Sequence, residues 1–181
     1  MRLQEKYKKE IAPALKEKFQ YKNVFQTPKV QKVVINVGFG RHSKEKAYIE
    51  MVASNLEKIS GQKPVLTKAK KSISSFKIRE GMVIGACVTL RGARMYDFLD
   101  KLVNVTFPRV RDFRGISAKN IDRSGNMTIG LKDNAAFPEI KTGDTENVFG
   151  LEICMPTTAK SYEEGYELFK LIGLPFKKEE K

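Results

Sequence analysis

An α+β fold, an antiparallel sheet with helices packed on one face, is the class this sequence predicts. Three observations point to it: apolar residues recur at helical spacing in several stretches, β-branched runs stand between them, and the order is irregular rather than a strict strand–helix alternation. No internal repeat or low-complexity linker interrupts the 181 residues, so a single domain over 1–181 is expected.

From the amino terminus, Leu3, Tyr7, Ile11, Leu15 and Phe19 repeat every four positions. They line one stripe of a helix over 2–19, which Pro13 should kink or divide. After a polar turn at 20–29, Val33-Val-Ile-Asn-Val37 is rich in β-branched residues and runs into Gly38-Phe-Gly40, as a strand ending in a turn would. Asn36 interrupts its apolar run. Ser43 reads as the N-cap of a helix over 44–60, in which Tyr48, Val52, Leu56 and Ile59 keep helical spacing until Gly61. A short strand at 65–67 precedes the polar stretch 68–81, read as a long exposed basic loop. The nearly continuous apolar strand 82–90 follows.

Met95, Phe98, Leu99, Leu102 and Val103 define an amphipathic helix expected to stop before Pro108, because proline disfavours helical geometry in the residue ahead of it. Period-two alternation at Met127, Ile129, Leu131 and at Leu151, Ile153, Met155 predicts two more strands, with an irregular stretch at 132–147 between them. Ser161 and Glu164 have capping-box spacing, so a last helix over 161–172 should end at Gly173, with Pro175 beyond.

Lys plus Arg number 34 against 21 Asp plus Glu, a formal charge of +13. Such an excess attracts polyanions through its summed field, and nucleic acid is the leading partner; the plainer alternative is a charge that only keeps the chain soluble. Cys87 and Cys154 lie in apolar stretches without metal-ligand spacing, which supports neither a disulfide framework nor zinc and fits a reducing cytoplasm. The first residues alternate charge with apolar groups, and no apolar run reaches membrane-spanning length, so neither export nor a membrane site is expected.

Catalytic chemistry finds little support. The sole histidine, His42, follows a glycine turn with no obvious cysteine or carboxylate partner. Gly38-Phe-Gly40 lacks the further glycine or GK[ST] ending of a nucleotide loop, so tight turning is its role. Carboxylates are interspersed with lysines, as in Glu5-Lys6 and Lys16-Glu17-Lys18, the pattern of a solvated helix face. No enzyme, cofactor or metal is expected.

Two basic constellations remain. Lys63, Lys68, Lys70, Lys71, Lys77 and Arg79 are interleaved with Ser72, Ser74, Ser75 and Phe76: point charges, neutral donors and a stacking face, which suit folded RNA read without many base contacts. Arg109, Arg111 and Arg114 place guanidinium groups where they could fork onto phosphate or stack on a base, though Asp112 could hold one of them.

The stretch Leu56-Glu-Lys-Ile-Ser-Gly-Gln-Lys-Pro-Val-Leu-Thr-Lys-Ala-Lys-Lys-Ser72 resembles the signature segment of the bacterial-type family of large-ribosomal-subunit proteins that bind 5S rRNA, the subunit's fifth protein. Lys32-Val-Val-Ile-Asn-Val-Gly38, Ser72-Ile-Ser-Ser-Phe-Lys77, Asn104-Val-Thr-Phe-Pro-Arg-Val-Arg-Asp-Phe-Arg-Gly115 and Phe137-Pro-Glu-Ile140 resemble it in the same order, nearly end to end. The resemblance implies a place in the central protuberance of the cytoplasmic ribosome, among large-subunit rRNA and other ribosomal proteins. It further implies 5S rRNA contact through Asn36, Gln62 and Thr89, with Asn23, Thr27, Lys29, Lys63 and Arg91 nearby. The loop with Lys68, Lys70, Lys71, Ser72, Ser74, Ser75, Lys77 and Arg79 would touch P-site tRNA. Asn134, Phe137, Pro138 and Glu139 would meet a small-subunit head protein. Asn36 and Thr89 have a plainer reading, as polar groups satisfying the sheet backbone. The rivals are a free-standing RNA chaperone or regulator, which would not co-sediment with large subunits, and an RNA-acting enzyme, which needs an acid–base pair or metal cluster.

Overall fold

The structure is a computed structural model that describes residues 2–140 and 148–177; positions 141–147 of the stretch expected to be irregular lie outside the described residues. Five strands, β1 Val33–Gly38, β2 Val65–Lys68, β3 Val83–Leu90, β4 Met127–Leu131 and β5 Leu151–Met155, form an antiparallel sheet in the order β2-β3-β1-β5-β4. With its helices, this is the α+β fold that the periodicities predict. Period-two alternation decides the faces. Val33, Ile35 and Val37, then Met127, Ile129 and Leu131, then Leu151, Ile153 and Met155 are all buried, and the residues between them are half-buried or exposed. No helix among the described residues is long and apolar enough to cross a membrane.

The chain forms two compact units. The first comprises Met1–Val33, Leu90–Ile129 and Cys154–Lys181. Its N-terminal helix is continuous from Leu3–Lys6 through a widened, π-type turn at Tyr7–Ile11 into Ala12–Phe19. Pro13 therefore does not divide the helix. Widening the turn ahead of it relieves the clash between the proline ring and the carbonyl one turn back. The same device corrects the expected end of the next helix, which runs Gly92–Lys101, widens at Leu102–Thr106 and continues through Pro108 as Phe107–Arg109. The C-terminal helix Tyr162–Ile172 is capped by Ser161, whose Oγ accepts the Glu164 amide at 3.4 Å. Glu164 reaches back to the Lys160 amide at 2.7 Å rather than to Ser161.

Before β4, Asp122 organises a tight turn, accepting the amides of Ser124 at 2.9 Å and Asn126 at 2.8 Å and the Asn126 side chain at 2.8 Å. Slight burial raises its pKa, but these hydrogen bonds outweigh that and hold the carboxyl below its ordinary value. A depressed carboxylate pKa contributes stability above the unfolded value that is lost as pH falls through the folded one. Asp122→Ala should thus lower the melting temperature at pH 7 and make little difference near pH 2. A deficit of equal size at both pH values would contradict the ionised turn.

The second unit comprises Val34–Thr89 and Gly130–Ile153. Its helix Lys46–Ser60 buries Val52, Leu56 and Ile59 and ends at Gly61 in the left-handed conformation. Its N-cap is Glu45, not Ser43: a short 3-10 turn at Gly40–His42 shifts the helix start, and no side chain bonds to the first amides. The stretch 68–81 is largely exposed but is no free loop. The Ala69 amide donates to the Met82 carbonyl at 2.8 Å, Gly81 to Ala69 at 3.0 Å, and Ile73 and Ile78 exchange backbone hydrogen bonds at 2.9 and 3.2 Å. A 3-10 turn at Ser74–Phe76 closes the tip, so the segment is a folded extension of the β2–β3 hairpin.

Candidate nucleic-acid interface

In the second unit, Asn36 on β1 and Thr89 on β3 both lie on the less buried side of their strands. Gln62 follows the helix end, where Ser60 Oγ accepts its amide at 3.2 Å while donating to the Leu56 carbonyl at 2.6 Å. This local clamp aims the Gln62 side chain at the sheet, and its Nε2 donates to the Thr89 carbonyl at 3.2 Å. Gln62 and Thr89, far apart in sequence, therefore share one polar patch, and Lys63 beside them is exposed. The Gln62 side-chain amide, bonded to the Thr89 backbone with Lys63 next to it in sequence, combines neutral hydrogen bonding with a nearby cation, which suits ribose and phosphate oxygens.

The extension 68–81 exposes Lys68, Lys70, Lys71, Ser72, Ser74, Ser75, Lys77 and Arg79, with Phe76 70% exposed. Ser72 turns part of this set inward, its Oγ accepting the Glu80 amide at 2.9 Å. Beside the extension lies a hollow of about 910 Å³ lined by Ser72, Ser74, Lys77, Arg79 and also Lys44. Lys44 lies distant in sequence, and only the folded hairpin brings it to the group. His42 is exposed, 3.2 Å from Glu45 Oε1 and with its ring 4.5 Å from that of Tyr48. It thus has the carboxylate partner that the sequence did not reveal. No group of His, Cys, Asp and Glu suited to a metal occurs among the described residues.

In the first unit, Asn23, Lys29 and Arg91 are exposed, whereas Thr27 is only 4% exposed. Its hydroxyl donates to the Val24 carbonyl at 2.7 Å, while Tyr7 donates to the Pro28 carbonyl at 3.0 Å. Burial, partly offset by the Thr27 hydrogen bond, raises the Tyr7 pKa; burial and then Tyr7 itself push Tyr96 up to about 12. Both phenols stay protonated at neutral pH, and Thr27 with Tyr7 supports the segment 23–29 from beneath. Asn23 Oδ1 accepts the Phe25 amide at 3.0 Å, holding a 3-10 turn on which Phe25 stands 93% exposed. Phe25 is a stacking candidate that the sequence reading missed; its one signal is an aromatic residue between the polar residues of a turn.

Arg109, Arg111 and Arg114 are exposed around a bend fixed by Phe107, which is buried and stacks on Phe113 at 5.1 Å. Among the described residues Asp112 pairs with none of these arginines; it occupies the left-handed conformation of the bend, φ 51°. In the second unit, Asn134 and Phe137 are buried and Pro138 is exposed. The Phe137 amide donates to the Asn134 carbonyl at 3.1 Å, so these two hold the turn from inside rather than face outward.

Comparison with known proteins bears on these surfaces. A family model described as "Ribosomal protein L5" matches residues 23–79, and a second, describing the C-terminus of the same ribosomal family, matches residues 83–176. The chain belongs to the ribosomal protein L5 family. It is 54% identical over 174 residues to the large ribosomal subunit protein uL5 of Halothermothrix orenii, covering 96% of this chain and 97% of that one. It is likewise 54% identical to uL5 of Streptococcus thermophilus (98% of each chain) and 53% identical to uL5 of Clostridium tetani (97% of each). As a member of this family it is structural rather than enzymatic, and its place is the ribosome in the cytoplasm.

Proposed function

We propose that this L5-family protein is a structural constituent of the large ribosomal subunit that binds 5S rRNA and anchors it in the central protuberance. The observation that carries the reading is the polar patch of the second unit, where Gln62 is held by Ser60 and bonded to the Thr89 carbonyl. With Asn36 and Lys63 it supplies neutral hydrogen bonding backed by charge, the chemistry of shape-directed RNA recognition. Asn23, Lys29 and Arg91 add contacts of the same kind, with Thr27 supporting them. The arginines at 109, 111 and 114 suit large-subunit rRNA phosphates. No bond is made or broken.

The hairpin extension is assigned to the backbone of P-site tRNA, with Lys68, Lys70, Lys71, Lys77 and Arg79 as the cations. Phosphate contacts position without reading sequence, which suits a surface that must accept every tRNA. The segment with Pro138 and Glu139 is assigned to a small-subunit head protein, forming a bridge between the subunits; Asn134 and Phe137 shape it from within.

Replacing Lys68, Lys70 and Lys71 by alanine should weaken P-site tRNA binding to assembled ribosomes by roughly 10-fold at low salt, while isolated 5S rRNA binding stays nearly unchanged. Filter binding of both RNAs to the same variant checks this. Equal loss of both would sink the division of labour.

A further inference from the structure

We propose that a groove beside the C-terminal helix is a separate binding site for an unpaired stretch of RNA, distinct from the surfaces assigned above. The groove, about 570 Å³, lies within the first unit and is lined by Ala118, Tyr162, Tyr166, Lys170, Phe176 and Lys177, with Leu174 at its base. Tyr162, Tyr166 and Lys170 recur every four residues and so share one face of the helix Tyr162–Ile172. Tyr162 and Tyr166 stack with centroids 6.1 Å apart and planes 19° apart, and Phe176 continues the row 4.7 Å from Tyr166. The result is a ladder of rings with lysines along it and, among the described residues, no carboxylate in the lining.

The far wall is built rather than incidental. The Ile116 amide donates to the Pro175 carbonyl at 2.7 Å and the Lys177 amide to the Ile116 carbonyl at 2.9 Å, pinning the tail as a short parallel bridge that sets Phe176 under Tyr166. Gly115 makes this approach possible: it sits at φ +93°, and a Cβ there would lie 2.8 Å from the Lys177 amide nitrogen. Tyr162 donates to the Ala118 carbonyl at 3.5 Å across the opposite side. Preorganised aromatic rings flanked by cations are the feature that single-stranded nucleic acid recognises through base stacking and phosphate neutralisation. The lysines would attract any polyanion; the rings favour RNA over an acidic peptide, because each nucleobase offers a face to stack on them and a carboxylate offers none.

The chain has no tryptophan, so Tyr162→Trp, at a partly exposed position, gives a fluorescence reporter inside the groove. An oligouridylate of about ten nucleotides should quench it, since that length exceeds the shortest ssRNA sites; a matched RNA duplex and an oligoglutamate peptide should quench it far less. Adding Phe176→Leu should weaken this binding by roughly 5-fold or more, the scale of one lost stack. Lys170→Gln with Lys177→Gln, both exposed and free of fold risk, should flatten the dependence of log affinity on log salt by about 1.4, at roughly 0.7 per lost phosphate contact. Absence of quenching, equal quenching by oligoglutamate, or an unchanged salt slope in the lysine variant would overturn the proposal. Oligouridylate lacks the fold of 5S rRNA, so this result is independent of the 5S reading.

Discussion

Gly165→Ala should destabilise the protein by about 2–3 kcal/mol, although removing a glycine from a helix normally adds about 1 kcal/mol. The reason is a backbone-to-backbone approach. A Cβ on Gly165 would meet the Gly125 Cα, and would lie 2.5 Å from its carbonyl oxygen and 2.8 Å from its carbonyl carbon. Gly125 has no room to retreat, since at φ +77° its own missing side chain is filled by Ala159 and by the Ser161 carbonyl. The C-terminal helix must therefore lift from the turn that Asp122 organises. Thermal unfolding should show a melting temperature lower by roughly 5–10 °C. An unchanged or higher value would mean that the helix and turn do not approach as described.

The second large effect concerns recognition. Asn36→Ala, Gln62→Ala and Thr89→Val together should reduce 5S rRNA affinity by roughly 100-fold, at about 1 kcal/mol for each lost hydrogen bond. Because none of the three is charged, the salt slope should stay as it is, whereas Lys63→Ala with Arg91→Ala should flatten it by about 1.8. A melting curve separates loss of contact from the loss of the Gln62–Thr89 bond, which alone costs roughly 1 kcal/mol. Full 5S affinity in the triple variant would remove these residues from the interface.

Much of the fold was legible because burial follows period. The stripe Leu3, Ile11, Leu15 and the trios Val33, Ile35, Val37 and Met127, Ile129, Leu131 are each buried as their spacing requires. What was not legible depended on local geometry or on distant partners. Pro13 and Pro108 look like breaks, yet a widened turn ahead of each absorbs the missing donor, and nothing in composition announces such a turn. The run of lysines and serines at 68–81 hides Ile73 and Ile78, whose backbone pairing folds the segment.

The candidate site divides in the same way. Residue types were readable: the amide of Gln62, the hydroxyl of Thr89 and the clustered lysines. Their orientation was not. Thr27, Asn134 and Phe137 are expected at contact surfaces from the resemblance, yet they are buried and support their segments from beneath. Phe25 and Lys44 went unread because exposure on a turn and proximity across a hairpin exist only in three dimensions.

Selective recognition of 5S rRNA is open to a binding titration. The purified protein is titrated against bacterial 5S rRNA and against a size-matched unrelated structured RNA at several salt concentrations. Selective 5S binding that persists at moderate salt is the predicted result. Equal affinity for both RNAs, lost in parallel as salt rises, would leave only the sequence-independent charge term and contradict the account.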